Sequence, residues 1–305
     1  MRFFKKTVID FIGKRNLWYF VSSAMMLVGM LSLAFKGINL GIDFRGGTEV
    51  IVAFATPPQI SDVRTAMRAS GLGASEIKTY GTSDNALIIR TTEQGQGSTL
   101  INRIVGSLQQ GMPTNPSTLL GSSEIFPKIG KELRQNALYA IVWSFVAILL
   151  YIAIRFKFVY GLGAVIAIVH DVFTTFGFLS ILDGVIPGLN LEITTEIIAA
   201  FLTLIGVSVN DTVVIFDRIR ENEKIHRSLS LGEIMNKSLN ETLSRTIITS
   251  GTIFVVLMVL LFFGGEVNRG FAFTMGFGIL TGTYSSIYVA SAIVLDWSLW
   301  SKKKS

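Results

Sequence analysis

Three aspartates lie inside or at the edge of long apolar runs: Asp171 next to His170, Asp211, and Asp217. An ionisable group in hydrocarbon costs roughly 2.5–3.5 kcal/mol on insertion scales, so each one kept there is a candidate for handling ions or protons. Thr203, Asn210 and Asp217 recur every seven residues and share one helical face, with Asp211 flanking it. In the next apolar run, Thr242, Arg245, Thr249 and Thr252 follow i, i+3, i+7, i+10 spacing and form a second polar stripe. The two stripes are expected to meet. A desolvated carboxylate holds its proton more tightly, and an approaching guanidinium loosens it, so Asp211 with Arg245 fits a proton relay driven by a gradient, without a cofactor. A static ion pair is the competing reading. Asp171 stays open between the two, because His170 adjoins it and neighbouring helix positions do not face each other. Asp217 is expected in the headgroup zone with Arg218 and Arg220, and Glu196 near the outer end of its span within reach of water.

Other chemistries find no support. The chain has no G-x-x-x-x-G-K-[ST], H-E-x-x-H or G-x-S-x-G motif, and no cysteine, so no thiolate metal site, Cys nucleophile or disulfide is expected. Two aspartates on neighbouring spans would suit an intramembrane protease. Neither Asp171 nor Asp211 follows a glycine or a helix break that would admit a peptide backbone, so no enzyme is expected.

These residues need spans to position them. Half of the chain's 305 residues are hydrophobic and 16% are charged, with a mean hydropathy of +0.54, which makes lipid the main solvent. Runs at 17–35, 137–154, 159–182, 193–216, 247–263 and 271–295 are each long enough to cross about 30 Å of hydrocarbon. The length of the first argues for an uncleaved anchor rather than a signal peptide. With the amino terminus inside, the short inner segments 1–16, 155–157, 217–246 and 300–305 carry sixteen Lys and Arg, and the short outer loops carry Arg269 alone. That bias puts both termini in the cytoplasm, with a basic tail at 299–305, and accounts for the net charge of +6 without nucleic acid. Trp18, Trp297 and Trp300 stand at span ends as interfacial anchors would. The small residues Gly278 and Gly282 of the sixth span suit close helix contact. Residues 218–244 read as an amphipathic segment that lies on the inner surface or contacts a cytoplasmic partner, or equally as a solvated connector.

Residues 36–135 change character, with alternating and amphipathic patterns punctuated by Gly and Pro. Strands are expected at 49–55, 76–80, 86–91 and 122–129 and helices at 60–70 and 99–110, with the turn 81–85 between the middle strands. The order βαββαβ matches a ferredoxin-like domain outside the cytoplasm. The fold class is therefore a six-span α-helical membrane protein (spans two to six within 136–298) plus one extracytoplasmic α+β domain.

Four segments carry a resemblance: Gly41-Ile42-Asp43-Phe44-Arg45-Gly46-Gly47-Thr48; His170-Asp171-Val172; the stretch from Val209-Asn210-Asp211-Thr212 through Phe216-Asp217-Arg218 to Glu221-Asn222; and Ser244-Arg245-Thr246 through Thr249-Ser250-Gly251-Thr252. Together they resemble the signatures of the bacterial SecF family of Sec translocase subunits, in the RND superfamily, and the likeness spans nearly the whole chain. It implies an inner-membrane helper of preprotein export, driven by the proton gradient, that pairs with SecD and works with SecYEG and accessory membrane subunits on the preprotein. It also implies proton coupling through Asp211 and Arg245. For Asp43 the residues themselves support a cap on the tight Gly46-Gly47 turn. A small-molecule or lipid exporter of the same superfamily and a non-transporting scaffold are the alternatives.

Overall fold

Apolar runs of this length form helices because, in hydrocarbon, only intrahelical bonding satisfies every backbone N–H and C=O. The structure is a computed structural model that describes residues 7–81, 85–91, 93, 98–156, 158–186 and 189–304. It contains six helices long and apolar enough to cross a membrane. They are α1 (Arg15–Phe35), α5 (Pro127–Arg155), α6 (Phe158–Leu182), α7 (Thr195–Ile225), α8 (Leu231–Phe263), and a sixth made of α9 (Gly265–Ser285), a five-residue π-helix (Ser286–Ala290) and α10 (Ser291–Lys304). Several run beyond the apolar limits read from sequence. α7 and α8 extend as continuous helices to Ile225 and from Leu231, so most of 218–244 is helical. Ser230 and Glu233 form a capping box that starts α8. Where the two extensions face each other, Asn222 donates to Ser238 at 2.9 Å and Arg218 to Glu241 at 2.7 Å.

The chain divides into two compact units. The first holds 1–38, 139–185 and 196–305, and the second 39–138 with 186–195. In the first, α1 crosses α6 where Gly29 meets Gly177, and a Cβ on Gly177 would stand 2.4 Å from the Cα of Gly29. Gly278 packs as closely on Leu204 of α7, where a Cβ would meet that side chain at 2.4 Å. An extended segment ahead of α1 runs along the start of α8. Asn240 both accepts from the Ile9 N–H at 2.9 Å and donates to its carbonyl at 2.8 Å, and Asn236 accepts from Phe11 at 2.8 Å. Trp18 stacks on Tyr288 at 4.2 Å between ring centroids, so it is a packing residue, whereas Trp297 and Trp300 are exposed.

The second unit carries β1 (Gly47–Phe54), α3 (Ile60–Ala69), β2 (Glu76–Thr79), β3 (Ala86–Thr91), α4 (Ser98–Gly111) and β4 (Ser117–Ile125), preceded by the one-turn helix α2 (Ile42–Arg45). The four strands form an antiparallel sheet in the order β2-β3-β1-β4. Val50, Val52, Phe54, Ile77, Leu87 and Ile89 pack on Val63, Met67, Leu100, Ile104 and Leu108 of the two helices. The last strand ends before the limit of 129 expected from sequence, because Pro127 opens α5. Of the expected turn 81–85, residues 82–84 lie outside the described ones.

The loop between α6 and α7 folds with this second unit. Its Glu192 is buried and pairs with Arg90 of β3 and Lys78 of β2, which also bind Glu49 at 2.6 Å and Glu76 at 2.9 Å. Burial alone would lower the Lys78 ammonium's pKa, but the hydrogen bonds and charges of Glu192 and Glu76 outweigh it and hold it above its ordinary value. Arg90 is raised by the same balance, with Glu192 and Glu49 offsetting burial.

Candidate functional site

Polar groups converge between α6, α7, α8 and α9. Asp171 is fully buried, and its Oδ2 accepts hydrogen bonds from Ser208 of α7 at 2.7 Å and Ser285 of α9 at 2.8 Å. The expectation that His170 and Asp171 do not face each other is corrected: His170 Nδ1 lies 3.1 Å from Asp171 Oδ1. Backbone spacing turns adjacent Cβ atoms apart, but these side chains bend back within reach. The other ring nitrogen of His170 is buried with no hydrogen-bond partner among the described residues. One turn along α7, Thr212 shares a hydrogen bond of 2.8 Å with Ser286, the first residue of the π-helix. Such a turn re-aims consecutive side chains. Here Ser285 serves Asp171 while Ser286 serves Thr212.

Asp211 is also buried, 5% exposed, and accepts from Ser250 of α8 at 2.9 Å. Ser250 in turn accepts from Thr283 of α9 at 2.8 Å. Arg245 is exposed and acts on Asp211 electrostatically, while the donor within hydrogen-bond distance is the Ser250 hydroxyl. Among the described residues the two form no ion pair, so the static-pair reading is not the arrangement found.

The polar stripes read from sequence open outward. Thr203, Asn210 and Asp217 are exposed on α7, Arg245 and Thr252 are exposed on α8, and Thr249 is half-buried. Thr242 alone of the α8 stripe is buried, with Thr246 and Ser250 on the same side of that helix. Ser250 meets Asp211 of α7, while Ser208 and Thr212 of α7 turn to Asp171 and Ser286. The i, i+4, i+8 spacing of those α8 hydroxyls was the available signal for Ser250. Asp217 does not pair with Arg218 or Arg220: it binds Arg155 of α5 at 3.0 Å, while Arg218 turns to Glu221 and Glu241. Glu196 is exposed.

The signature turn departs from its expected form. Residues 42–45 make the helical turn α2, closed by Gly46 at φ 74° and followed by Gly47 at φ 134°, both in the region that favours glycine. Asp43 does not cap its own turn. Its Oδ2 accepts from the backbone N–H and the hydroxyl of Thr195, both at 2.8 Å, at the first residue of α7. Among the described residues no cluster of metal-ligating side chains occurs.

Comparison with known proteins puts this geometry in context. Residues 109–300 match the family described as "Protein export membrane protein SecD/SecF, C-terminal", and residues 31–58 match "SecD/SecF GG Motif". The chain is 42% identical to the protein translocase subunit SecF of Rhodothermus marinus over 97% of this chain and 95% of that one. It is 39% identical to that of Calditerrivibrio nitroreducens, over 94% and 93%. Among solved structures it is similar to SecDF, a translocon-associated membrane protein from Thermus thermophilus, with a TM-score of 0.83 and 34% identity. That match covers 96% of this chain and 39% of the longer SecDF chain. A SecDF structure in a super-membrane-facing form matches with a TM-score of 0.70 at 34% identity, over 99% and 40%.

Proposed function

This chain belongs to the SecF family of protein translocase subunits, and from that premise we propose that it couples the proton gradient to preprotein export in partnership with SecD. The relatives are named as translocase subunits, and the chain is a multi-pass, non-catalytic membrane component of protein export. The observation that carries the coupling reading is Asp211, a buried carboxylate in a membrane helix held by one neutral hydroxyl, with the Arg245 charge acting on it from the next helix. A carboxylate so held is not locked into its charged form by a direct ion pair. Movement of α8 against α7 therefore changes both the hydroxyl and the charge that the carboxyl meets. Asp171, with its own serine pair and His170, is a second proton-holding group in this reading, and Asp217 guards the inner end.

The outward stripe supports the SecD partnership. Thr203, Asn210, Arg245 and Thr252 stand exposed on membrane helices, where polar side chains call for another protein surface or a water-filled cavity rather than lipid. One of the similar SecDF structures is described as a super-membrane-facing form, which supports a relative with more than one arrangement, as coupling requires. In the second unit, the βαββαβ order with strand order β2-β3-β1-β4 supports a ferredoxin-like domain. The charge bias of the short segments supports an inner-membrane topology with both termini cytoplasmic and this domain periplasmic, next to SecYEG and the emerging preprotein.

The test is preprotein export into inverted membrane vesicles carrying Asp211→Asn, with and without an uncoupler, at matched membrane levels. The reading expects the gradient-dependent part of export to vanish in the variant while basal export persists. A variant that exports and responds to uncoupler like wild type would make Asp211 structural and refute the reading.

A further inference from the structure

The residues that lead into α7 are held by the second unit through backbone, cap and ion pair together. Leu40 bridges Ile193 in parallel, Gly41 donates its N–H to the Ile193 carbonyl at 2.8 Å, and Ile193 donates to Asn39 at 2.8 Å. Gly41 permits this approach, since a Cβ there would stand 2.8 Å from the Thr194 methyl. Two residues on, Asp43 takes both hydrogen bonds from Thr195, and three residues before Thr195 the buried Glu192 is pinned by Lys78 and Arg90 of the sheet. The same turn also meets α5: a Cβ on Gly130 would stand 3.0 Å from the Phe44 carbonyl and 3.1 Å from that of Asp43. The signature turn is thus wedged against the first turn of one membrane helix and caps the first residue of another.

The capped helix is the one that bears Asp211. The first N–H groups of a helix have no intrahelical partner, and a carboxylate there both satisfies a donor and complements the helix dipole. A loop joining two membrane helices does not need its helix capped by a residue 152 positions away in sequence, nor its own carboxylate buried between two bases of a sheet. Both features tie the entry of α7 to the fold of the second unit. We propose that Asp43 and Glu192 are positioning residues that fasten α7 to the outer sheet, so that displacement of the Asp211-bearing helix is delivered to the outer domain rather than absorbed by a slack loop. The role rests on the reading of Asp211 as the coupling group.

The test uses the chain assembled with its SecD partner in vesicles, with three readouts: gradient-dependent export, proton flux and amide exchange over residues 195–198. Asp43→Ala is expected to cut the gradient-dependent part of export about tenfold, within the usual range of coupling between sites. Proton flux should persist and exchange in the first turn of α7 should rise. Asp43→Asn keeps an acceptor oxygen for both hydrogen bonds and should restore most of the export, while Glu192→Gln should show a milder uncoupling. A purely structural role would lower export and flux together and reduce the amount in the membrane, and that result overturns the proposal. So does unchanged gradient-dependent export in Asp43→Ala. A wild-type complex with no gradient-dependent export would sink the functional reading, and the positioning role with it, without any variant being needed.

Discussion

The molecule has two interiors, built on opposite rules. Between the sheet and helices of the second unit, the fully covered side chains include the aliphatic Val50, Val52, Ile89, Ile104 and Leu108. Inside the membrane unit, Asp171, Thr174, Thr212, Ser285 and Ser286 are covered just as completely. Water drives the first arrangement, since fully burying each such side chain is worth roughly 1.5–3 kcal/mol. In lipid that drive is absent, so helices associate through close packing at small residues and through hydroxyl hydrogen bonds. The membrane interior can therefore hold polar groups that an aqueous core would exclude. The carboxylates that suit coupling sit in the interior whose assembly does not depend on being dry.

The largest effect is expected from Gly177→Leu, which drives a side chain into the backbone of Gly29 and should prevent α1 from seating, seen as loss of folded protein after detergent extraction. Next, Ile104→Ala should destabilise the second unit by about 2–5 kcal/mol, read as faster proteolysis within 39–138 while the membrane unit stays protected. Ser285→Ala should be milder, about 0.6 kcal/mol by the average for membrane hydrogen bonds, but should alter gradient-dependent export more than stability. If Ser285→Ala instead proved as destabilising as Ile104→Ala, the two interiors would not differ as argued.

The smallest effect concerns the segment ahead of α1. The Gly13 N–H and then the Asn236 amide hold the Asp10 carboxyl below its ordinary 3.8, with a lesser contribution from Lys14. A lowered carboxylate contributes docking above its unfolded value and loses it as pH falls through the folded one. Pepsin cleavage at Phe11 should therefore accelerate only below that range, and less so in Asn236→Leu, which lacks the contact to begin with.

Local pattern made much of the fold legible. β3 falls at 86–91 as expected, because a short apolar run rich in Leu and Ile after a turn suits a buried strand. The helix count follows from apolar length alone. Contacts between distant segments are not legible in the sequence: the residues around Asp43 suggest a cap on their own Gly46-Gly47 turn, and nothing near them points to Thr195. In the site, Thr203, Asn210 and Asp217 are the conspicuous polar stripe of α7 in sequence, but in the fold they are exposed. The contact face of α7 carries smaller hydroxyls with one aspartate.

Coupling through Asp211 requires that its carboxyl exchange a proton, and that protonation can be observed directly. Infrared difference spectra of the membrane-embedded chain after a pH jump should contain a carboxylic-acid carbonyl band that shifts in D2O, disappears in Asp211→Asn and moves when Arg245 is changed to Gln. A spectrum that Asp211→Asn leaves unchanged would mean the group does not exchange protons, and the coupling account would fail.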